Sequence, residues 1–282
     1  VLDDLASHVG RAHTATDVLQ AGPANLLRLA LGRSEPELRD GDPLPPSWLA
    51  LYFLPRFAGA DLRPDGSPRD TGVVPPLPLP RRMFAGERVR LHRPLRIGEA
   101  LRRETELVDL TAKTGGTGTL VFATVASRVL GADGRLALEE ERRTVFREEV
   151  KAGEGNRAPR REPAPSEVTW RRTVTPAPVL LFRFSALTFN SHRIHYDRPW
   201  ATEVEGYPGL VVHGPLTTTL LADFARDHNP GRQILAYTTQ ARAPLFDTAP
   251  FELRGRPTAA GCECWAVTPG GTVAMSAEVE LD

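Results

Sequence analysis

A polar stretch rich in proline and glycine, Lys151-Ala-Gly-Glu-Gly-Asn-Arg-Ala-Pro-Arg-Arg-Glu-Pro-Ala-Pro-Ser166, cuts this chain near its middle. It carries no hydrophobic period, so it has no face to bury, and it reads as a linker. What it separates constrains the fold most. On each side helices precede a run of four strands, which is the pattern of an α+β unit. Two similar plans in 282 residues predict two domains of ordinary size, 1–150 and 167–282, joined by 151–166.

Before the linker, Leu2, Leu5 and Val9, then Leu26, Leu27, Ala30 and Leu31, recur at helical spacing around Gly22-Pro23. They predict two short helices within 1–33. Ser47 is a candidate cap for a helix over 48–54. Val73-Val-Pro-Pro-Leu-Pro-Leu-Pro80 predicts an extended connector packed on its own domain; an SH3-type ligand has the same composition. Strands are expected at 84–94, 100–112, 117–130 and 136–148. Gly115-Gly-Thr-Gly118 lies between two of them and opens no helix, so it reads as a hairpin turn and not as a phosphate loop.

After the linker come a strand at 167–174 and a helix capped at Thr175-Pro176 and running to Leu187. A second helix at 215–228 has Leu216, Leu220 and Phe224 on one stripe, and strands follow at 232–242, 250–258, 260–268 and 272–281.

Composition removes several function classes. The chain has 35 basic and 35 acidic residues, without the basic excess of a nucleic-acid or membrane-surface protein. No apolar run approaches the roughly 20 residues of a membrane span, and no secretory leader is visible after Val1. Cys262 and Cys264, two apart on a strand, share a face and read as buried thiols of a reducing, cytoplasmic compartment. One Cys-x-Cys is a poor zinc site, and no other spacing suggests a metal.

The chemistry concentrates in Phe184-Ser-Ala-Leu-Thr-Phe-Asn-Ser-His-Arg-Ile-His-Tyr-Asp197 and Gly209-Leu-Val-Val-His-Gly-Pro-Leu216. The first holds Asn190, His192 and His195; the second runs into Gly214-Pro215, a helix start. An imidazole moves protons near neutrality, and free N–H groups at a helix start favour a developing negative charge. Together they suit acid–base chemistry on a carbonyl compound.

These two segments, with Leu79-Pro-Arg-Arg-Met-Phe-Ala-Gly-Glu87 and His92-Arg-Pro-Leu-Arg-Ile-Gly98 upstream, resemble the MaoC-like hydratases and dehydratases over nearly the whole chain. The nearer likeness is to their two-hotdog subgroup, which includes mesaconyl-C4-CoA (3-methylfumaryl-CoA) hydratases, itaconyl-CoA hydratases and fungal-type hydroxyacyl-thioester dehydratases.

The resemblance implies a double hotdog, two helix-wrapped antiparallel sheets in one chain, acting on acyl-CoA as a hydro-lyase without a cofactor. It makes His195 the general acid/base, Asn190 an orienting amide in place of the broader family's aspartate, and Gly214 the oxyanion-hole N–H. His192, Arg193, His213 and Asp197 follow as candidates for holding substrate or pinning the site. The first half is then a degenerate hotdog shaping the acyl and CoA pocket. The implied substrate is a short 2-enoyl-CoA, 3-methylfumaryl-CoA or itaconyl-CoA, giving citramalyl-CoA. A fatty-acid-type dehydratase, a thioesterase using Asp223 or Asp227 on the predicted helix, and a non-catalytic thioester-binding module stand as alternatives. The oligomeric state stays open, a homodimer being the first to test for.

Overall fold

The computed structural model describes residues 4–115, 118–148 and 162–282. Among them ten strands form one antiparallel sheet. The first half contributes β1 (Ala12–Val18), β2 (Arg81–Leu91), β3 (Ala100–Gly115), β4 (Gly118–Gly131) and β5 (Leu136–Arg147). The second contributes β6 (Trp170–Val174), β7 (Ile234–Ala241), β8 (Phe251–Thr258), β9 (Gly261–Val267) and β10 (Val273–Leu281). The order across the sheet is β1-β3-β4-β5-β2-β7-β10-β9-β8-β6. Outward from the centre each half therefore repeats one order: its second strand, then its fifth, fourth, third and first. The halves meet where β2 and β7 pair, Arg88↔Thr238, Val89↔Tyr237 and Arg90↔Ala236. This is a double hotdog.

The two halves fill their concave faces differently. In the second, α3 (Gly214–Asp227) packs against β2 and β7 to β10. Leu216, Leu221 and Phe224 are fully buried, each worth about 1.5–3 kcal/mol. The predicted stripe of Leu216, Leu220 and Phe224 is only part of the buried surface, because Thr217, Thr218 and Thr219 are enclosed as well. The Thr217 and Thr219 hydroxyls donate to the carbonyls of His213 and Pro215 at 3.1 and 3.0 Å, which lets polar side chains sit inside the wrap.

Among its described residues the first half has no counterpart of α3; its 3₁₀ turn Pro46–Leu51, with Trp48, Leu49 and Leu51 buried, packs against α3 itself. The helix predicted over 48–54 ends there. Phe53 turns into the left-handed region at φ 53, held by its N–H donating to Asp17 Oδ2 at 2.7 Å.

The stretch read as two helices also departs from expectation. Its described residues, 4–33, form a 3₁₀ turn at Leu5–His8, the edge strand β1 and a single helix, α1 (Ala21–Ala30). Gly22-Pro23 opens that helix and does not break two apart, since a first-turn proline forfeits no hydrogen bond. The helix expected from Thr175-Pro176 starts later, as α2 (Pro178–Leu187), with Pro178 in its first turn.

Of the linker, residues 151–161 lie outside the described residues. Residues 162–166 run along the sheet end, where Glu162 O accepts from Val273 N at 2.9 Å. The polyproline stretch packs on its own chain, burying Val73, Leu77 and Leu79. Cys262 and Cys264 are both buried, with sulfurs 3.9 Å apart. No helix among the described residues is long and apolar enough to cross a membrane.

Candidate active site

The site forms where α2 ends and α3 begins. α2 closes on a Schellman turn, with Phe189 N donating to Ala186 O at 3.3 Å and Asn190 N to Ser185 O at 2.8 Å. The left-handed position of such a turn favours glycine. Here it is Phe189 at φ 48, a conformation that costs an L side chain about 1–2 kcal/mol. Its ring stands on a cavity wall. The turn delivers Asn190, whose Oδ1 accepts from His192 N at 3.1 Å. A backbone N–H only donates, so the amide is fixed with its NH₂ left to meet a ligand.

The single 3₁₀ turn Arg193–His195 then carries His195 inward to burial. Its Nδ1 lies 2.7 Å from Val211 O, and a carbonyl only accepts, so Nδ1 bears the proton and Nε2 keeps a lone pair. Burial foremost, then the neighbouring His192, push its pKa down to about 3, against the pull of the Val211 bond.

His213 stacks on His195 at 3.7 Å between ring centroids, and its own Nε2 is 2.8 Å from Ser185 Oγ. Burial holds His213 far below its ordinary pKa. His192 meets His195 edge-on at 5.5 Å, with its Nε2 3.5 Å from Asp65 Oδ2. Burial lowers the His192 pKa to about 4; Asp65 opposes that shift and Arg82 adds to it. All three imidazoles are neutral at neutral pH.

Gly214 begins α3 with His213 as its cap. Its N–H lies in the first turn, where no intrahelical carbonyl is available and the positive end of the helix dipole is strongest. A Cβ at Gly214 would fall 2.5 Å from the Phe84 ring on β2. Glycine is needed here for close approach.

A loop from the other half clamps these elements. Arg193 N donates to Asp65 O at 2.8 Å and Ser191 Oγ to Gly66 O at 2.7 Å, while Asp65 Oδ1 accepts from Ser67 N at 2.8 Å. Gly66 sits at φ +81, and a Cβ there would strike Ser191 O at 1.9 Å. Pro64-Asp65-Gly66 signals a turn in the sequence, but nothing local announces that Asp65 reaches His192.

Asn190, His192, His195 and Gly214 all line one cavity of about 2740 Å³ between the halves. The other expected residues do not reach its wall. Arg193 is tied to Asp197 Oδ2 at 2.7 and 2.9 Å and lies 3.9 Å over the Trp200 ring. Asp197 therefore holds a guanidinium and the Trp200 N–H, and orients no imidazole. His213 stands behind His195 as a support for its ring.

The helix carboxylates are engaged elsewhere. Asp223 pairs with Arg33 and Arg226, each at 3.2 Å, and Asp227 with Arg172 at 2.8 Å, so neither faces the cavity as thioesterase chemistry would need. Among the described residues no three His, Cys, Asp or Glu side chains converge as a metal site.

Arg82 was not singled out in the sequence. Its side chain is exposed and lines the cavity, and it makes no hydrogen bond or ion pair with any described residue. Desolvation by the cavity walls and the nearby Arg142 and Arg63 weaken its hold on its proton, and Asp65 opposes them.

Residues 47–247 match the family model of hydroxyacyl-thioester dehydratase type 2. The chain is 49% identical over 244 residues to the mesaconyl-C(4)-CoA hydratase of Chloroflexus aurantiacus, covering 85% of this chain and 84% of that one. Over 81 residues it is 36% identical to the mitochondrial hydroxyacyl-thioester dehydratase type 2 of Schizosaccharomyces pombe, 28% of this chain and 27% of that one. Among solved structures, a MaoC-like dehydratase from Phytophthora capsici superposes at TM-score 0.71 with 17% identity, covering 100% of this chain and 99% of the other. A Mycobacterium tuberculosis protein with a double hotdog fold does so at 0.58, also 17% identical, over 100% and 98% of the two chains.

Proposed function

The chain belongs to the hydroxyacyl-thioester dehydratase type 2 family, a hydro-lyase of acyl thioesters, and from that membership we propose that it hydrates a short dicarboxylic 2-enoyl-CoA. The substrate that fits best is 3-methylfumaryl-CoA (mesaconyl-C4-CoA), with citramalyl-CoA as product; itaconyl-CoA, whose double bond is not conjugated with the thioester, enters the same route once a proton shift from its α-carbon to its methylene carbon has made it 3-methylfumaryl-CoA. The observation that carries the reading is the neutral His195, its Nε2 lone pair unclaimed, in one cavity with the free N–H of Gly214 at a helix start.

Nε2 takes a proton from water as the water oxygen bonds to the β-carbon. The π electrons move onto the thioester oxygen, where Gly214 N–H and the helix dipole stabilise the enolate. The enolate then collapses and the α-carbon takes a proton from the imidazolium, so water is consumed and nothing else. The low pKa of His195 makes its imidazolium a strong acid, which favours that return. Asn190 offers its NH₂ to the incoming water oxygen or the new hydroxyl. The first half acts as the degenerate partner: its described residues carry no such pair of groups, and it lends Phe84 and Arg82 to the wall and Asp65 to His192. The cavity has room for the acyl group and the pantetheine arm.

Loss or gain of the enoyl-thioester absorbance with mesaconyl-C4-, itaconyl- and crotonyl-CoA tests the reading. Turnover of the dicarboxylic thioesters above crotonyl-CoA is expected. A fatty-acid-type dehydratase is the second reading, favoured by the Schizosaccharomyces pombe relative. It takes over if only medium-chain enoyl-CoA reacts.

A further inference from the structure

We infer that Arg82 holds the second carboxylate of the substrate, the one borne on the carbon that receives water, and so sets the choice of acyl group. This rests on the dicarboxylic reading above. Arg82 lies two residues before Phe84 on β2, where the pairing Arg82↔Phe146 and Phe84↔Thr144 runs without a bulge. Both side chains therefore leave the same face of the strand, about 7 Å apart. Phe84 is the residue packed on Gly214. Arg82 thus stands one pleat from the helix end that receives the thioester oxygen. His192 and Asp65 are near enough to Arg82 to act on its charge.

The other arginines of the wall, Arg56 apart, are already engaged. Arg142 pairs with Glu87 at 3.1 Å and Glu140 at 2.6 Å, and Arg103 donates to Phe53 O at 3.2 Å. Arg81 reaches Glu205 at 3.6 Å and Arg242 reaches Glu162 at 3.7 Å. Arg56, without a partner in the described residues, sits in the exposed loop after Leu54. Arg82 is a different case: it is unpaired like Arg56, but it lies on the strand face that carries Phe84 to Gly214, with Arg142, Arg63 and Asp65 near enough to act on its charge.

Such an arrangement is unfavourable when empty and relieved by an anion. A guanidinium meets a planar carboxylate with two parallel hydrogen bonds. A substrate with its thioester oxygen at Gly214 projects the β-carbon and its substituents back across the site toward β2. The phosphates of CoA lie at the far end of the pantetheine arm and cannot reach Arg82 in the same pose.

The test compares kcat/KM for mesaconyl-C4-CoA and for crotonyl-CoA, which has no carboxylate, in wild type, Arg82→Gln, Arg82→Lys and Arg193→Gln. Wild type is expected to prefer the dicarboxylic thioester. Arg82→Gln should lower that preference roughly 30- to 100-fold, the worth of a charged hydrogen-bond pair. Arg82→Lys should lower it less, keeping the charge but not the fork, and it preserves the test if the glutamine protein fails to fold. Arg193→Gln should leave the ratio where it is. An Arg82→Gln protein slowed equally on both substrates, or with its preference intact, overturns the assignment alone. A wild-type enzyme that turns over crotonyl-CoA and neither dicarboxylic thioester overturns the dicarboxylic reading, and the assignment with it.

Discussion

The two halves share a strand order and differ in what lies against the strands. The second encloses α3, 14 residues from Gly214 to Asp227, while the first makes do with the six-residue turn Pro46–Leu51. A full helix offers a free N-terminus aimed into the cavity, and a 3₁₀ turn sealed by Trp48 and Leu51 does not. The sheet is thus the conserved carrier of the fold, and the helix start is where chemistry is lodged. The half without the helix still serves the site, through a loop at Asp65 and a strand face at Arg82. Fold repetition and site repetition come apart here for a visible reason: among the described residues only the second half has a long helix whose first turn opens on the cavity.

That contrast can be broken by substitution. His195→Ala, in the second half, should cut kcat by about 10²–10⁴, the usual worth of one positioned general acid–base group, while Tm stays close to that of wild type. Trp48→Ala, in the first-half turn that packs on α3, should do the reverse. Its ring is buried and its Nε1 donates to Asp223 Oδ2 at 3.3 Å. Its loss should cost about 3–5 kcal/mol of stability by denaturant titration, with turnover per folded molecule within a few-fold of normal. Equal kinetic damage from both variants would erase the distinction between the halves.

A smaller effect sharpens the contrast through pH. His195 and His192 are held near pKa 3 and 4 in the folded chain, against an ordinary value of 6.5. The unfolded chain therefore binds more protons between those values, and stability must fall as pH drops from 6.5 toward 4. Above 6.5 these groups contribute no slope. Each histidine should contribute up to about 1.4 kcal/mol per pH unit across that window. His192→Gln should flatten the slope measured by urea unfolding at pH 7.5, 6 and 5. An unchanged slope would mean that the histidine is not buried neutral.

Much of this was legible in the sequence, and the exceptions have physical causes. β2 to β5 and β7 to β10 were readable because alternating apolar residues are punctuated by Gly-rich hairpins. β1 was not: Ala12-His-Thr-Ala-Thr-Asp-Val18 is an edge strand paired only with β3, so little of it needs to be apolar. The turn at Pro46–Leu51 has enough apolar residues for a helix, but Phe53 is captured by Asp17, some 36 positions earlier, and the chain turns away. At the site, Asn190, His192, His195 and Gly214 are close in sequence and were found together. Arg193 and Asp197 stood equally close, yet their mutual ion pair takes them off the wall. Asp65 and Arg82 arrive from more than 100 positions away, carried by the packing of one half on the other. A local pattern cannot announce them.

The central claim is that a doubled fold holds a single site. Calorimetric titration of the chain with methylsuccinyl-CoA, a saturated thioester that cannot be hydrated, tests it most directly. Saturable binding of one molecule per chain is expected, retained in His195→Ala and weakened in Arg82→Gln. Two equivalent molecules per chain, or full-strength binding that ignores Arg82, would contradict it.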